Sequence, residues 1–270
     1  MADISPPSFS ADGKVLYYLL RHPAGSEPEL WRTTVSSGQS EAVLPGIFMV
    51  AYDISPDGKQ VVYATTVPGG KSQLWLAPID RSSPARVIGS GGEVLPHFGP
   101  HGQILFQSTE GNSNYLERMN PDGSGRSKVV PDPIAEIQGI SPGGRWVMAV
   151  APLPDGTGAV SIAIPTDRGP RRITCQGYCV PTWSSNGKWL FIPVEASSRT
   201  SPGRSLAIPV GPGESLPAFP PGGIKPLAEP SAVPGSQSVN RAELVPGEDP
   251  SHFAYVNTTV HRNLYRISLP

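Results

Sequence analysis

Two residue pairs in this chain have the spacing of ligand sets. His97 and His101 stand four apart, and so do Cys175 and Cys179. On a helix, two imidazoles at that spacing would share a face and a metal. Here they bracket the turn-like segment Phe98-Gly-Pro-His-Gly102, where successive side chains point in opposed directions. A metal also needs a third ligand, which neither pair supplies. Two thiols are too few for structural zinc, and no histidine lies near Cys175 or Cys179. A disulfide across the Cys-Gln-Gly-Tyr-Cys loop is the other chemistry open to them. Without a known redox compartment, two ordinary loop thiols is the preferred reading.

The remaining candidates for chemistry reduce to turns. Asn120-Pro-Asp122-Gly-Ser124-Gly begins like a calcium loop but lacks its later oxygen ligands and closing glutamate, and a hairpin turn accounts for the same residues. Gly156-Thr-Gly158-Ala-Val-Ser161 approaches a dinucleotide fingerprint but lies between two strand-like runs, not between a strand and a helix. No Gly-x-Ser-x-Gly occurs. Asn257-Thr-Thr259 fits a glycosylation acceptor and is given no weight. No catalytic residue, metal site or cofactor is assigned, and the chain is expected not to be an enzyme.

The elements that would position any site come from a repeat. Glycine (30) and proline (33) form nearly a quarter of the 270 residues, while hydrophobic residues, at 38%, are too many for disorder. Five segments align: Phe9-Ser-Ala-Asp-Gly13-Lys, Ile54-Ser-Pro-Asp-Gly58-Lys, Phe98-Gly-Pro-His-Gly102-Gln, Ile140-Ser-Pro-Gly-Gly144-Arg and Trp183-Ser-Ser-Asn-Gly187-Lys. Their final glycines are 45, 44, 42 and 43 residues apart. A large apolar residue ends a strand, Ser-Pro-Asp opens a turn, and glycine closes it with positive φ. Apolar second strands follow, such as Val61-Val62-Tyr63 and Trp189-Leu190-Phe191. Third strands such as Gln73-Leu74-Trp75 and short fourth strands such as Glu41-Ala42-Val43-Leu44 complete each unit. Trp31, Trp75, Trp146, Trp183 and Trp189 fall at repeat-equivalent positions and are expected to pack between units.

Four short strands per period of this length predict an all-β fold: a six-bladed β-propeller of four-stranded antiparallel blades, its last blade degenerate. The blades run over about 5–46, 47–90, 91–132, 133–175, 176–234 and 236–270, as one domain. A Pro/Gly-rich insertion at 201–235 stretches the fifth, and Ile224-Lys-Pro-Leu227 is a candidate for its fourth strand. The sixth opens with Val239–Val245, continues through His252–Val256 and Arg262–Ile267, and lacks a fourth strand. Met1–Ser5 leaves no room for one, so an upstream segment of a longer polypeptide is expected to supply it; a three-stranded last blade is the alternative. Met1–Phe9 has neither a basic start nor an apolar core, unlike a signal peptide. No run approaches the roughly 18 apolar residues of a membrane span. A net charge of −1 offers no basic surface for nucleic acid.

The Ser-Pro-Asp-Gly-Lys turn after an apolar residue resembles the TolB-like propeller repeat, a relative of WD-repeat propellers without their Trp-Asp ending. Blades three and four depart furthest from it. The tail segments Phe219-Pro-Pro-Gly-Gly-Ile-Lys225 and Val260-His-Arg-Asn-Leu-Tyr-Arg-Ile267 resemble the C-terminal sensor propeller of bacterial eukaryotic-like serine/threonine kinases. The kinase itself is absent: there is no His-Arg-Asp, no Asp-Phe-Gly and no Gly-rich loop before a Val-Ala-Ile-Lys strand. The resemblance implies an extracytoplasmic sensor or binding module of a larger signalling protein, recognising a protein or small ligand. A lyase- or glycosidase-type propeller enzyme and a cell-envelope interaction hub are the alternatives.

A ligand is expected at one mouth of the central channel, on loops leading from each outer strand to the next inner strand: Pro45–Ala51, Gly91–Pro96, Pro131–Gln138, Cys175–Pro181 and Pro234–Asn240. Ile47–Tyr52 and Tyr178–Val180 are apolar for loops, as partner sites often are, although they also serve as the starts of inner strands. The candidate ligand-binding residues are Tyr52, Asp53, His97, Gln138, Tyr178, Thr182 and Arg241. Solvated channel polar groups without a ligand are the competing reading.

Overall fold

A computed structural model describes residues 6–21, 27–153, 156–198 and 201–255. His22, His261, Asn257–Thr259 and the expected strand Arg262–Ile267 lie outside the described residues.

Each repeat forms one antiparallel sheet whose strands are ordered as in the sequence. Blade one holds β1 (Ser8–Phe9), β2 (Val15–Leu20), β3 (Glu29–Thr34) and β4 (Ser40–Ala42). Blade two holds β5 (Ala51–Ile54), β6 (Gln60–Thr66), β7 (Ser72–Pro78) and β8 (Arg86–Val87). Blade three holds β9 (Val94–Phe98), β10 (Ile104–Glu110), β11 (Ser113–Met119) and β12 (Ser127–Lys128). Blade four holds β13 (Glu136–Ile140), β14 (Trp146–Pro152), β15 (Ala159–Pro165) and β16 (Arg172–Cys175). Blade five holds β17 (Thr182–Trp183), β18 (Trp189–Glu195), β19 (Arg204–Pro209) and β20 (Gln237–Val239). All five inner strands end on the apolar residue that precedes the turn.

The turn has a physical code. In blade two the Ser55 hydroxyl donates to Asp57 Oδ1 (2.6 Å) and accepts from the Gln60 amide (2.8 Å), while the Lys59 N–H donates to Asp57 Oδ1 (3.1 Å). These bonds hold the Asp57 carboxyl below its ordinary pKa, the Ser55 hydroxyl contributing most. Blade one repeats the set with Ser10 and Asp12, and blade five with Ser184 and Asn186. Blade four keeps only the serine, whose hydroxyl accepts from the Trp146 amide. Blade three has neither and makes a 3-10 turn at Pro100–Gly102 instead. Replacing the buried Ser55 with alanine is expected to destabilise the protein by about 1–2 kcal/mol, because two backbone amides and a carboxylate lose a partner. Urea unfolding of that variant checks the value; Ser10→Ala, at a more exposed turn, should cost less.

The core lies between blades. One buried cluster joins Tyr17 and Leu30 of blade one to Val61 and Tyr63 of blade two. A second joins Val62 and Leu74 to Ile104 and Phe106, and a third joins Leu105 and Leu116 to Val147 and Ile162. The fourth joins Met148 and Ala163 to Leu190 and Leu206. Blades two, three and four thus bury both faces against their neighbours, as stacked repeats must. Trp146 and Trp183 pack against the fourth cluster, and Trp189 against a smaller one around Phe191. Trp75 stacks on Tyr63 at 6.4 Å, its cross-strand partner within blade two.

The expectation of six blades is corrected: the described residues form five four-stranded blades. In the sixth position the described residues form a two-stranded hairpin, β21 (Val245–Pro246) with β22 (Phe253–Ala254). It is wedged between β1 and β17. The Ser185 N–H donates to Gly247 O (2.9 Å) and the Asn186 amide to Glu248 O (2.9 Å), which tie the hairpin to blade five. The run Val239–Val245 is divided: Val239 ends blade five and Val245 begins the hairpin.

The fourth strand of blade five is Gln237–Val239, not Ile224–Leu227. Ile224 instead bridges in parallel to Cys175 on the outer edge of blade four. Its N–H donates to Thr174 O and its carbonyl accepts from the Gln176 N–H, both at 2.8 Å. Gly223 makes this approach feasible, since its φ is +84° and a Cβ there would stand 2.8 Å from the Cys175 nitrogen. Leu216, Ile224 and Val233 are buried against blades four and five, so the Pro/Gly insertion is folded onto the sheet.

The preferred reading of two free thiols is also corrected. Cys175 and Cys179 form a disulfide across the loop from blade four to blade five, with 6.2 Å between their Cα atoms. Both are buried, and Ser161 fixes the loop by accepting from the Cys179 N–H (2.9 Å) and donating to its carbonyl (3.0 Å).

Candidate channel site

The inner strands enclose a central cavity of about 730 Å³, reached by residues from all five blades and the hairpin. That size suits a small ligand or one side chain with its neighbours. Tyr52, Asp53, His97, Gln138, Tyr178 and Thr182 all line it. Arg241 does not. It is drawn away by Tyr255, whose ring lies 3.7 Å from the guanidinium carbon.

Each lining residue has a local cause. Asp53 sits next to the end of β5, and its carboxylate staples two blades: Oδ1 accepts from the Ile54 N–H (3.0 Å) and Oδ2 from the Phe98 N–H of blade three (2.8 Å). His97 Nδ1 lies 3.7 Å from Asp53 Oδ2, close enough for an ion pair when the imidazole is protonated. Tyr52 is spent on structure. Its hydroxyl donates to Tyr17 O (3.0 Å), and burial pushes its pKa far up.

Gln138 differs from these. It occupies a register shift between Ile137 and Gly139 on β13. Neither its amide oxygen nor its amide nitrogen has a hydrogen-bond partner, though both are buried. Such groups are rare in native structures and commonly signal a missing partner. Tyr178, held between the two cysteines, is 65% exposed at the mouth. Ile47 and Phe48 are partly exposed, whereas Met49 and Tyr52 of the same apolar run are buried, so that run is half surface and half core.

Sequence reasoning missed the most regular feature of the channel. The five residues that precede the turns, Phe9, Ile54, Phe98, Ile140 and Trp183, all line the cavity. Phe98 is at the same time part of a buried cluster, and Ile54, Ile140 and Trp183 pack against others. Their recurrence at one repeat position, on strands nearest the axis, was the signal that could have placed them there.

The remaining candidates are turns or pairs too few to make a site. His101 lies in the 3-10 turn with φ +56°, and it lines the cavity together with His97. Asn120–Gly125 is a hairpin turn closed by Asp122 accepting from the Ser124 N–H and hydroxyl. Gly156–Gly158 lies in the hairpin between β14 and β15. Among the described residues no group of three or more His, Cys, Asp or Glu side chains is arranged to hold a metal. No described helix is long and apolar enough to cross a membrane.

Among known proteins, no family model matches the chain and no curated protein matches it in sequence. Solved structures match in shape. TolB from Acinetobacter baumannii is 17% identical with a TM-score of 0.60, over 76% of this chain and 51% of that one. The fold is that of a TolB-like β-propeller. A putative TolB from Agrobacterium tumefaciens gives 19% identity and a TM-score of 0.55, over 75% of this chain and 76% of that one. An oligogalacturonate lyase in complex with manganese gives 13% and 0.51, over 75% and 61%. This TolB-like chain spans about half the length of the Acinetobacter protein. At such identities the likeness is one of fold, shared by an enzyme and by the TolB proteins, and function must be argued from the site.

Proposed function

We propose that this TolB-like propeller is a non-catalytic recognition module that binds a protein or small ligand in its central channel. The observation that carries this reading is Gln138, whose buried amide faces the cavity wall with both hydrogen-bonding atoms unpartnered. The reading of the channel as an enzyme site is weaker. Glycosidase chemistry uses two free carboxyl groups about 5–9.5 Å apart. Here Asp53 spends an oxygen on each of two backbone amides, which suits a staple better than a base. A role within a larger signalling protein, such as a receptor-type kinase, rests on the resemblance of the tail segments alone. An extracytoplasmic location is supported by the disulfide, since such bonds persist in oxidising compartments.

The test fills the channel. Thr182 is half-buried on β17, and Thr182→Trp places an indole in the cavity. Fragments and displayed peptides selected on the wild-type protein are expected to lose at least about tenfold in affinity on this variant, roughly 1.4 kcal/mol or more. Ligands that bind both proteins equally would move the site off the channel. Turnover of peptide, glycoside or ester substrates by the wild-type protein would overturn the non-catalytic part.

A further inference from the structure

Resting on the channel reading above, we infer that the ligand group taken by the channel is a neutral primary carboxamide on an apolar stem, received by Gln138. On β13 Ile137 pairs with Ala149, and the ladder resumes with Gly139 against Met148. Gln138 is the extra residue of that bulge, and bulges re-aim side chains, often beside sites. It lines the cavity, yet both its amide atoms are shielded from solvent and lack a partner. The last torsion of a glutamine is broad, so a small turn presents oxygen and nitrogen together to a ligand. The wall beside it is open: Gly139 also lines the cavity, and a Cβ there would meet nothing within 4 Å. Gln107, on the facing strand of the neighbouring blade, differs. Its side-chain oxygen accepts from the Ile137 N–H (3.2 Å), so that glutamine is spent on structure.

The chemistry of the ligand follows from what the amide lacks. It offers an acceptor and an N–H donor side by side, and a primary carboxamide returns the same two in one plane. An ionised carboxylate brings acceptors alone and leaves Gln138 Oε1 without a donor. An ammonium brings donors alone and leaves Nε2 without an acceptor. A site built on buried polar groups rejects analogues that leave them unpaired. Two further groups on the cavity wall have the same need. Trp183 Nε1 and Ser185 Oγ, both on blade five, are buried without hydrogen-bond partners, and both residues line the cavity. A carboxamide oxygen has a second lone pair for such a donor. Phe9, Phe98 and Ile140 line the same cavity and suit the apolar stem.

The experiment compares 3-phenylpropanamide with N,N-dimethyl-3-phenylpropanamide, 3-phenylpropionate and 3-phenylpropane-1,2-diol at pH 8, where the carboxylate is ionised. Binding is followed by the indole N–H resonance of Trp183, assigned by its loss in Trp183→Phe. The primary amide is expected to bind with a Kd in the millimolar range, at least about tenfold better than each of the other three. Gln138→Leu should remove that preference. Gly139→Val, which fills the open space beside the amide, should weaken the primary amide as well. Free of ligand, Gln138→Leu should melt no lower than the wild type, because leucine leaves no polar atom unpaired. A clear fall in its melting temperature would show that the amide is already satisfied in the free protein, and would overturn the inference. A second arm sets N-acetyl-glutamine methylamide against N-acetyl-methionine methylamide. Preference for glutamine assigns the carboxamide to a peptide side chain, and equal binding assigns it to a free small molecule. Equal binding of the primary and dimethyl amides, or preference for the carboxylate or the diol, would overturn the carboxamide assignment while leaving the channel as a binding site. So would silence of all four probes at Trp183 if ligands selected on the wild type still lose affinity on Thr182→Trp. If the probes are silent and those ligands bind Thr182→Trp equally well, the channel reading itself fails, and this inference with it.

Discussion

Replacing Arg126 with methionine is expected to destabilise the propeller by about 2–4 kcal/mol, the scale seen when one partner of a buried ion pair is removed. Arg126 is the cation between two buried carboxylates. Its NH1 donates to Glu93 Oε1 (2.6 Å) and its Nε to Glu117 Oε2 (2.5 Å). The Glu93 and Glu117 side chains are only 1% and 5% exposed, while Arg126 itself is 38% exposed, which places the cost below that of a fully buried triad. Glu93 arises from the loop between blades two and three, and Glu117 and Arg126 belong to blade three, so the network fastens that loop to the next blade.

The pH dependence gives the sharper check. Burial opposes ionisation of Glu93, but donation from the Ser90 hydroxyl and from the Ser90 and Gly91 amides outweighs it, so its pKa lies below the ordinary 4.5. A carboxyl depressed in the folded state contributes stability above its unfolded pKa and loses it as pH falls through the folded value. Wild-type stability should therefore drop as pH falls below about 4.5. The penalty of Arg126→Met should shrink over the same range, because protonated carboxyls no longer need the guanidinium. Denaturant unfolding at pH 7 and at pH 3.5 measures both. A penalty that stays constant between those values would mean that packing of the arginine stem, over the Phe106 ring at 5.1 Å, carries its role.

Gly144→Ala should cost a comparable amount, about 2–4 kcal/mol from strain and overpacking together. Gly144 closes the blade-four turn with φ +75°, where a Cβ is disfavoured. A methyl there would also stand 2.5 Å from the Pro100 nitrogen and 2.7 Å from the Gly99 carbonyl carbon. Those are backbone atoms of the neighbouring turn, which no side-chain rotation can relieve. Gly58 closes the blade-two turn with φ +70° and open space around it, so Gly58→Ala isolates the strain alone. Thermal melts of the pair should show a clearly larger loss for Gly144→Ala. Equal losses would show that the approach of neighbouring turns is soft.

The repeat was legible because its information is local. A serine that hydrogen-bonds two residues on, a glycine with positive φ and an apolar residue before them fix a turn within six positions. The full set marks the ends of the inner strands at Phe9, Ile54 and Trp183, and the apolar residue with its later glycine suffices at Phe98 and Ile140. What depended on partner choice across the sheet was less legible. Ile224–Leu227 and Gln237–Val239 are both short segments at plausible distances from β19, and only the tertiary position of the insertion decides which one pairs with it. The sixth repeat showed a strand pattern at Val239–Val245, but the pattern could not reveal that its described residues would form a hairpin beside β1. Six of the seven candidate site residues lie on the channel. Asp53, His97 and Thr182 stand five residues before the turn glycine and Tyr52 and Gln138 six, while Tyr178 is carried there by the disulfide loop. Arg241 precedes the β21–β22 hairpin, and its guanidinium lies over the Tyr255 ring.

The parallel bridge between Ile224 and Cys175 has a consequence for how the protein behaves among its own copies. Outer strands of a propeller carry unpaired backbone donors and acceptors, and such edges invite pairing with another chain. In blades one, two, three and five the outer strand is two or three residues long, too short to template an addition. Blade four has the longest, at four residues. It is the one on which the Pro/Gly insertion lays a segment, beside a disulfide that fixes its end. A stretch that interrupts the repeat thus acts as a guard on the rim, closing the edge where intermolecular strand exchange would otherwise begin.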